Sequence, residues 1–318
     1  MQRNSTSAEI DDNTQVPDCH QVPQSDLWRT WPAVKGFSMS SKQWGEFFVA
    51  QTSPVDYKAN AFDALVLEEE KKATILAAVS NSTGFSDIVE GKGGGCVFLL
   101  HGPPGVGKTL TAEATAEYLH MPLYTLTSGE LGTSATQLEK NLSKVLQLAA
   151  SIDAVILIDE CDIFLNARDG SDVMRNALVG IFLRLLEYHK GILFLTTNRV
   201  DVFDAAVYSR VSVALEYSDL TEDNRQTVWR SLLQAAEVDV DAVDVVSLAK
   251  IPANGRQIKN AVRLGKALSQ RNQDGVCGTT DLTTAIKVAQ EIKVSVQNSG
   301  DKHNQSYTIA DSLSTQTA

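Results

Sequence analysis

The sequence predicts an α/β chain: a three-layer α/β/α core around a five-stranded parallel sheet, followed by a small C-terminal helical domain. Three observations predict it. Between residues 91 and 218, short apolar runs alternate with amphipathic stretches, the pattern of strands joined by crossover helices. The first run closes on a glycine-rich turn that leads directly into a helical pattern. After Asp219 the strand-like runs stop and only helical stripes remain.

Each element follows from its own residues. Residues 1–27 are polar and rich in Asn, Gln, Asp and Ser, and 296–318 repeat that composition; both are expected to be disordered. Residues 28–90 form an aromatic-bearing arm with Trp31, Phe37, Trp44, Phe47, Phe48, Tyr57 and Phe62, and a helix is expected over Leu67–Val79. The aromatics are expected to pack this arm onto the core (91–218). Strands are expected at Cys96–Leu100, Pro122–Leu126, Ala154–Ile158, Ile192–Thr196 and Val211–Leu215. The third is apolar without a break, as a strand buried on both faces should be. Met174, Ala177, Leu178, Ile181, Phe182 and Leu185 fall on one helical face. In the helical domain (219–295), Thr221 is a candidate N-cap ahead of Glu222 and Asp223. Three stripes follow: Trp229, Leu232, Leu233, Ala236; then Ile258, Ala261, Val262, Gly265, Leu268; then Leu282, Ala285, Ile286, Ala289, Ile292.

Composition narrows the function. The net charge is −11, so a general nucleic-acid footprint is missing and nucleic acid is not an expected partner. No run of about 18 apolar residues offers a membrane span. The first twenty residues have neither an apolar stretch nor a basic cluster, which argues against a secretory leader and, less strongly, a mitochondrial presequence. The expected location is intracellular: cytoplasmic in the first instance, with the nucleus left open. Cys19, Cys96, Cys161 and Cys277 are far apart and suit free thiols in a reducing compartment.

The chemistry starts at Gly102-Pro103-Pro104-Gly105-Val106-Gly107-Lys108-Thr109, which satisfies the phosphate-loop pattern between a strand and a helix. Its glycines let backbone N–H groups turn inward, the helix that starts there and takes in Leu110 adds its positive end, and Lys108 adds a full charge. Thr109 offers a hydroxyl to Mg²⁺. The third apolar run ends in Asp159-Glu160. Asp159 can hold Mg²⁺ through its waters and Glu160 can polarise a water for attack on a γ-phosphate. An acidic pair after a strand also serves as a helix cap, but with the loop upstream hydrolysis is the better expectation. Asn198, after Leu193–Thr197, can touch both that water and the phosphate, or simply form a turn.

GPPGVGKT, ILIDECD and LTTNR, in this order and ahead of a helical lid, resemble the AAA family of ATPases within the AAA+ group of P-loop NTPases. GFSMSSKQW, FDALVL, RNALVGIFLRLLEYHKGILFLTTNRV and NGRQIKNAVR resemble fungal AAA-ATPase-domain proteins. The resemblance spans roughly residues 36–294. It implies ATP and Mg²⁺ as ligands, with Lys108 and Thr109 as the Walker A pair, Asp159 and Glu160 as Walker B, and Asn198 as sensor 1. It implies Arg210 as an arginine finger reaching a neighbouring subunit's phosphate, Arg256 as the lid's sensor 2, and a homo-oligomeric ring, of six. Arg199 is a further candidate for the face between subunits. An ordinary surface ion pair is the alternative for Arg210.

Two departures stand out. The family's Asp-Glu-Ala-Asp reads Asp159-Glu160-Cys161-Asp162, where a small Cys can replace Ala. No aromatic lies between Tyr124 and Phe164, so the aromatic pore loop of many AAA unfoldases is missing. The expected function is therefore Mg²⁺-dependent ATP hydrolysis by an oligomer that remodels a protein client. The alternative is a nucleotide-gated assembly module with slow turnover.

Overall fold

The computed structural model describes residues 25, 30–81, 95–132, 134–165, 173–199, 205–270 and 277–290. The lead 1–27, except Ser25, and the tail 296–318 lie outside the described residues, as does Ile292. Two compact units divide between Val55 and Asp56. The smaller contains an antiparallel hairpin, β1 (Ala33–Ser38) and β2 (Gln43–Phe48). Phe37 faces Trp44 across it with an edge-on ring contact at 5.6 Å, and Lys35 faces Glu46, both favourable cross-strand pairs.

The larger unit runs α1 (Glu69–Asn81), β3 (Cys96–His101), α2 (Lys108–Leu119), β4 (Leu123–Thr127), α3 (Ser128–Leu131), α4 (Ala135–Ser151), β5 (Val155–Asp159), α5 (Asp162–Leu165), α6 (Val173–Glu187), β6 (Ile192–Thr197), α7 (Ala205–Tyr208) and β7 (Val213–Glu216). Its sheet has the order β4-β5-β6-β3-β7 with every pairing parallel. The five expected strands are all present, with ends shifted by one or two residues. Val155–Ile158 and Leu193–Leu195 are fully buried, as central strands covered on both faces must be. Phe98 of β3 stacks on Phe194 of β6, centroids 4.6 Å apart.

The arm drawn over residues 28–90 spans both compact units. Phe62, Leu65, Ile75 and Val79 share one buried cluster with the sheet, and Tyr57 stacks on His120 of the larger unit. Phe37 and Trp44 instead pack on each other. The stripe expected on α6 is corrected as well. Met174 is 71% exposed, while Val179, Leu183 and Leu186 are buried beside Leu178 and Phe182.

The lid consists of α8 (Glu222–Ala235), α9 (Val245–Ala249), α10 (Gly255–Ser269) and helical residues 279–290. Thr221 caps α8 by accepting from the Asn224 N–H. Trp229, Leu233, Ile258, Ala261, Leu282 and Ile286 form a core separate from that of the sheet. All six positions belong to the stripes legible in the sequence, and each large side chain buried there contributes about 1.5–3 kcal/mol.

Candidate nucleotide site

In open parallel sheets, ligands sit beyond the carboxyl ends of the strands. There β3 ends at His101 and the loop from Gly102 to Gly107 follows. Gly102 has φ +137° and an added Cβ would lie 2.1 Å from the Tyr217 carbonyl oxygen, so only glycine lets the chain leave the strand there. Gly107 has φ +109° and caps α2, and nothing lies within 4 Å of where its Cβ would be. The first turn of a helix leaves N–H groups without intrahelical acceptors. Loop and helix therefore make a donor-lined cradle with room above it. Val106 turns inward into the core, whereas Leu110 is exposed and offers the site its backbone alone.

Lys108 is buried, and its ammonium donates to the Gly102 and Pro103 carbonyls at 2.7 Å and to Asn198 Oδ1 at 2.9 Å. All three acceptors are neutral. Burial pushes the amine's pKa down, against the pull of Asp159 and Asp162, and Arg256 adds a smaller push in the same direction. A desolvated cation hydrogen-bonded only to dipoles favours an anion. The site thus suits phosphate. Thr109 Oγ1 stands 3.3 Å from one Asp159 carboxylate oxygen and 3.4 Å from the other, and a hydroxyl beside a carboxylate is a donor set that Mg²⁺ accepts.

Glu160 follows at the end of β5, exposed, with φ +53°. Such a conformation is uncommon outside glycine and costs energy that neighbouring contacts must offset. Those contacts come from Thr196 and Thr197, which the motifs alone do not single out. The Glu160 N–H donates to Thr196 Oγ1 at 3.1 Å, and the Thr196 hydroxyl donates to Asp159 Oδ1. The Thr197 hydroxyl donates to Asp162 Oδ1, and the Arg199 N–H donates to Thr197 Oγ1 at 3.0 Å. Two adjacent hydroxyls closing an apolar strand were the available signal. Cys161 is fully buried and its thiol donates to the Thr196 carbonyl at 3.1 Å, so the departure from Ala is filled by a bonded, desolvated thiol whose pKa is driven up by burial.

The lid reaches the loop through Asn254, a third residue that the motifs alone do not single out. Its amide donates to the Pro104 carbonyl at 3.2 Å, and the Gly255 N–H donates to the Gly105 carbonyl at 2.8 Å. Arg256 is the next residue on α10, exposed. Arg210 is placed elsewhere. Its guanidinium donates to the Leu183 and Ala206 carbonyls, to Ser209 Oγ and to Glu187 Oε2 at 3.3 Å. Within one copy it forms the ion pair with Glu187 and makes none of these bonds to the loop. Arg199 is exposed, one residue beyond Asn198.

Residues 98–218 match the model of the ATPase family associated with various cellular activities (AAA). The outer mitochondrial transmembrane helix translocase of Danio rerio is 30% identical over 165 residues, covering 48% of this chain and 44% of that protein. A 26S proteasome regulatory subunit homolog of Methanothermobacter marburgensis is 31% identical over 175 residues, covering 52% and 46%. The ATPase family AAA domain-containing protein 3A homolog of Drosophila melanogaster is 30% identical over 138 residues, covering 42% and 23%. The chain spans less than half the length of these curated relatives. The matches support an AAA+ ATPase, with nucleotide binding and ATP hydrolysis at the level of the family. They also correct the expected cytoplasmic location: translocases of this set are outer mitochondrial by name in fish and mammals alike. Among the described residues no helix is long and apolar enough to cross a membrane.

Proposed function

We propose that the chain is an Mg²⁺-dependent ATPase that works as a homo-oligomer, in a six-membered ring, and remodels a protein client at a mitochondrial membrane surface. The observation that carries it is the Lys108 ammonium, buried and hydrogen-bonded only to neutral oxygens, beside the Thr109–Asp159 pair. In this reading the loop N–H groups and Lys108 bind the β- and γ-phosphates. Asp159 and Thr109 would hold Mg²⁺, which supplies positive charge against the phosphate oxygens when bound. Glu160 takes a proton from water as that oxygen bonds to the γ-phosphorus and the bond to the bridging oxygen breaks, giving ADP and phosphate. Asn198, freed from Lys108, orients the water. Arg256 contacts the phosphate from the lid, and Arg210 of a second copy neutralises charge developing on the transferred group. The phrases GFSMSSKQW and NGRQIKNAVR support a place among fungal AAA-ATPase-domain proteins.

Slow-turnover gating of an assembly is the second reading, favoured by the stretch without aromatics between Tyr124 and Phe164. ATP binding and steady-state hydrolysis of Glu160→Gln, measured across protein concentration, separate the two. Wild-type protein should hydrolyse ATP with a rate per chain that rises with concentration. Glu160→Gln should bind ATP normally with hydrolysis reduced about 100-fold or more, the size of effect a positioned proton acceptor gives. Unchanged hydrolysis by Glu160→Gln would sink the assignment, and negligible wild-type turnover with tight binding would establish the gate.

A further inference from the structure

The turn that carries Glu160 is held from one side by a single strand end. Thr196 lies in β6 beside Leu100 of β3, one residue beyond the Ile158–Leu195 pairing with β5, and is 1% exposed. Its hydroxyl accepts the Glu160 N–H and donates to Asp159, and its carbonyl accepts both the N–H and the thiol of Cys161, at 3.0 and 3.1 Å. Three successive residues of the turn are thus bonded to one threonine. Thr197 ties the fourth, Asp162, and also accepts the N–H of Arg199, so Asn198 is flanked by the same clamp.

A hydroxyl has one proton and can accept as well. Thr196 uses both capacities at once, orienting the Asp159 carboxylate while holding the Glu160 backbone at φ +53°. Strain at a site persists only where surrounding contacts over-determine it, and here Thr196 supplies those contacts to Glu160 and Cys161. We infer that Thr196, supported by Thr197, is a positioning residue for ATP hydrolysis: its hydroxyl sets the orientation of Asp159 toward Mg²⁺ and of Glu160 toward water. The inference rests on the proposed role of Glu160 and adds the group that aims it.

The test compares Thr196→Val, Thr196→Ser and Glu160→Gln in the full chain. Valine keeps volume and removes the hydroxyl; serine keeps the hydroxyl. The expected result for Thr196→Val is a kcat about 10–100-fold lower, with the ATP dissociation constant within about threefold of wild type and a higher Mg²⁺ concentration for half-maximal rate. Thr196→Ser should recover most of kcat and the original Mg²⁺ dependence. Should valine disturb folding, seen as a lost melting transition, the serine variant and Thr197→Val carry the comparison: Thr197→Val should lower kcat with nucleotide affinity kept. Wild-type kcat and Mg²⁺ dependence in Thr196→Val overturns the inference. If instead Glu160→Gln hydrolyses at the wild-type rate, it is the reading of Glu160 that fails.

Discussion

The Asn254 side-chain amide donates to the Pro104 carbonyl at 3.2 Å across 150 residues of sequence, tying the first turn of lid helix α10 to the phosphate loop. The Gly255 N–H reinforces it on the Gly105 carbonyl. Asn254 also caps α10, accepting from the Gln257 N–H at 2.9 Å in a reciprocal capping box. The cap and the bridge use different atoms of one side chain, so substitution can separate them. Asn254→Asp keeps the acceptor and loses the donor to Pro104; Asn254→Ala loses both. We expect Asp to leave the melting temperature near wild type while weakening ATP binding, and Ala to add a stability loss of about 1 kcal/mol. Calorimetric titration with ATP and thermal melts check both. Equal ATP affinity in the two variants and the wild type would mean the bridge does not report on the loaded site.

Gly105 lies under that contact with φ +78°, and a Cβ there would come 2.8 Å from Asn254 Cγ. Gly105→Ala therefore meets two costs. An L-residue in the left-handed region loses about 1–2 kcal/mol, and the lid must shift away from the loop. Where the loop and lid relieve that strain by moving apart, ATP binding must restore it, so the expected outcome is ATP affinity about tenfold weaker, with the sheet core still folded by near-UV circular dichroism. Wild-type affinity in this variant would show that the loaded loop adopts another path.

Arg210 is anchored within its own copy by Glu187 and by the carbonyls of Leu183 and Ala206. A role at a neighbour's phosphate requires it to leave Glu187, an ion pair that is partly exposed and so worth about 0–1 kcal/mol. The bonds to the Leu183 and Ala206 carbonyls must be released as well, which adds to that cost. Mixing Arg210→Ala with Glu160→Gln tests the shared site directly. Each protein alone should be nearly inactive, while mixed oligomers contain interfaces with an intact Glu160 on one side and an intact Arg210 on the other. ATPase activity should therefore reappear on mixing. Failure to recover any activity, with co-assembly verified by light scattering, would count against a site built from two copies.

How far the sequence carried these conclusions depended on the kind of signal. The central strands were legible because Ala154–Ile158 and Ile192–Thr196 are short runs rich in β-formers, the pattern of strands buried on both faces. The lid stripes were legible because polar residues bound each apolar face sharply. On α6 that contrast is lacking: VMRNALVGIFLRLLE is apolar on most sides, so periodicity could not choose a face. Packing chose it, with Phe182 stacked on Phe164 at 5.2 Å, and Met174 was left outside. The Gly102–Thr109 loop and the Asp159-Glu160 pair carried local spacing and could be singled out as candidates. Thr196 and Asn254 could not, because their roles come from partners 36 and 150 residues away that only the sheet register and the lid docking bring near. Location lay beyond composition altogether.

His189 carries a pH dependence in the fold itself. It sits just after α6, 3% exposed, and neither ring nitrogen finds a hydrogen-bond partner among the described residues. Burial pushes its pKa down to about 4 from 6.5, because charging the ring there would strand a cation without a partner. In the unfolded chain the ring protonates near its ordinary value, so between those two pKa values the unfolded state binds more protons than the folded one. Stability must then rise with pH across that window. It is fully present above about pH 6.5 and is lost as the pH falls toward 4, by as much as about 3 kcal/mol at 1.36 kcal/mol per unit. Urea denaturation of wild type and His189→Phe at pH 7.5, 6.0 and 5.0 measures this. The wild type should lose stability steadily toward pH 5.0, and the variant, with no ring nitrogen to protonate, should lose clearly less. His101, whose pKa is also lowered by burial, contributes in the same direction in both proteins, so the difference between them isolates His189. Parallel losses in the two would show that the buried imidazole is not the group responsible.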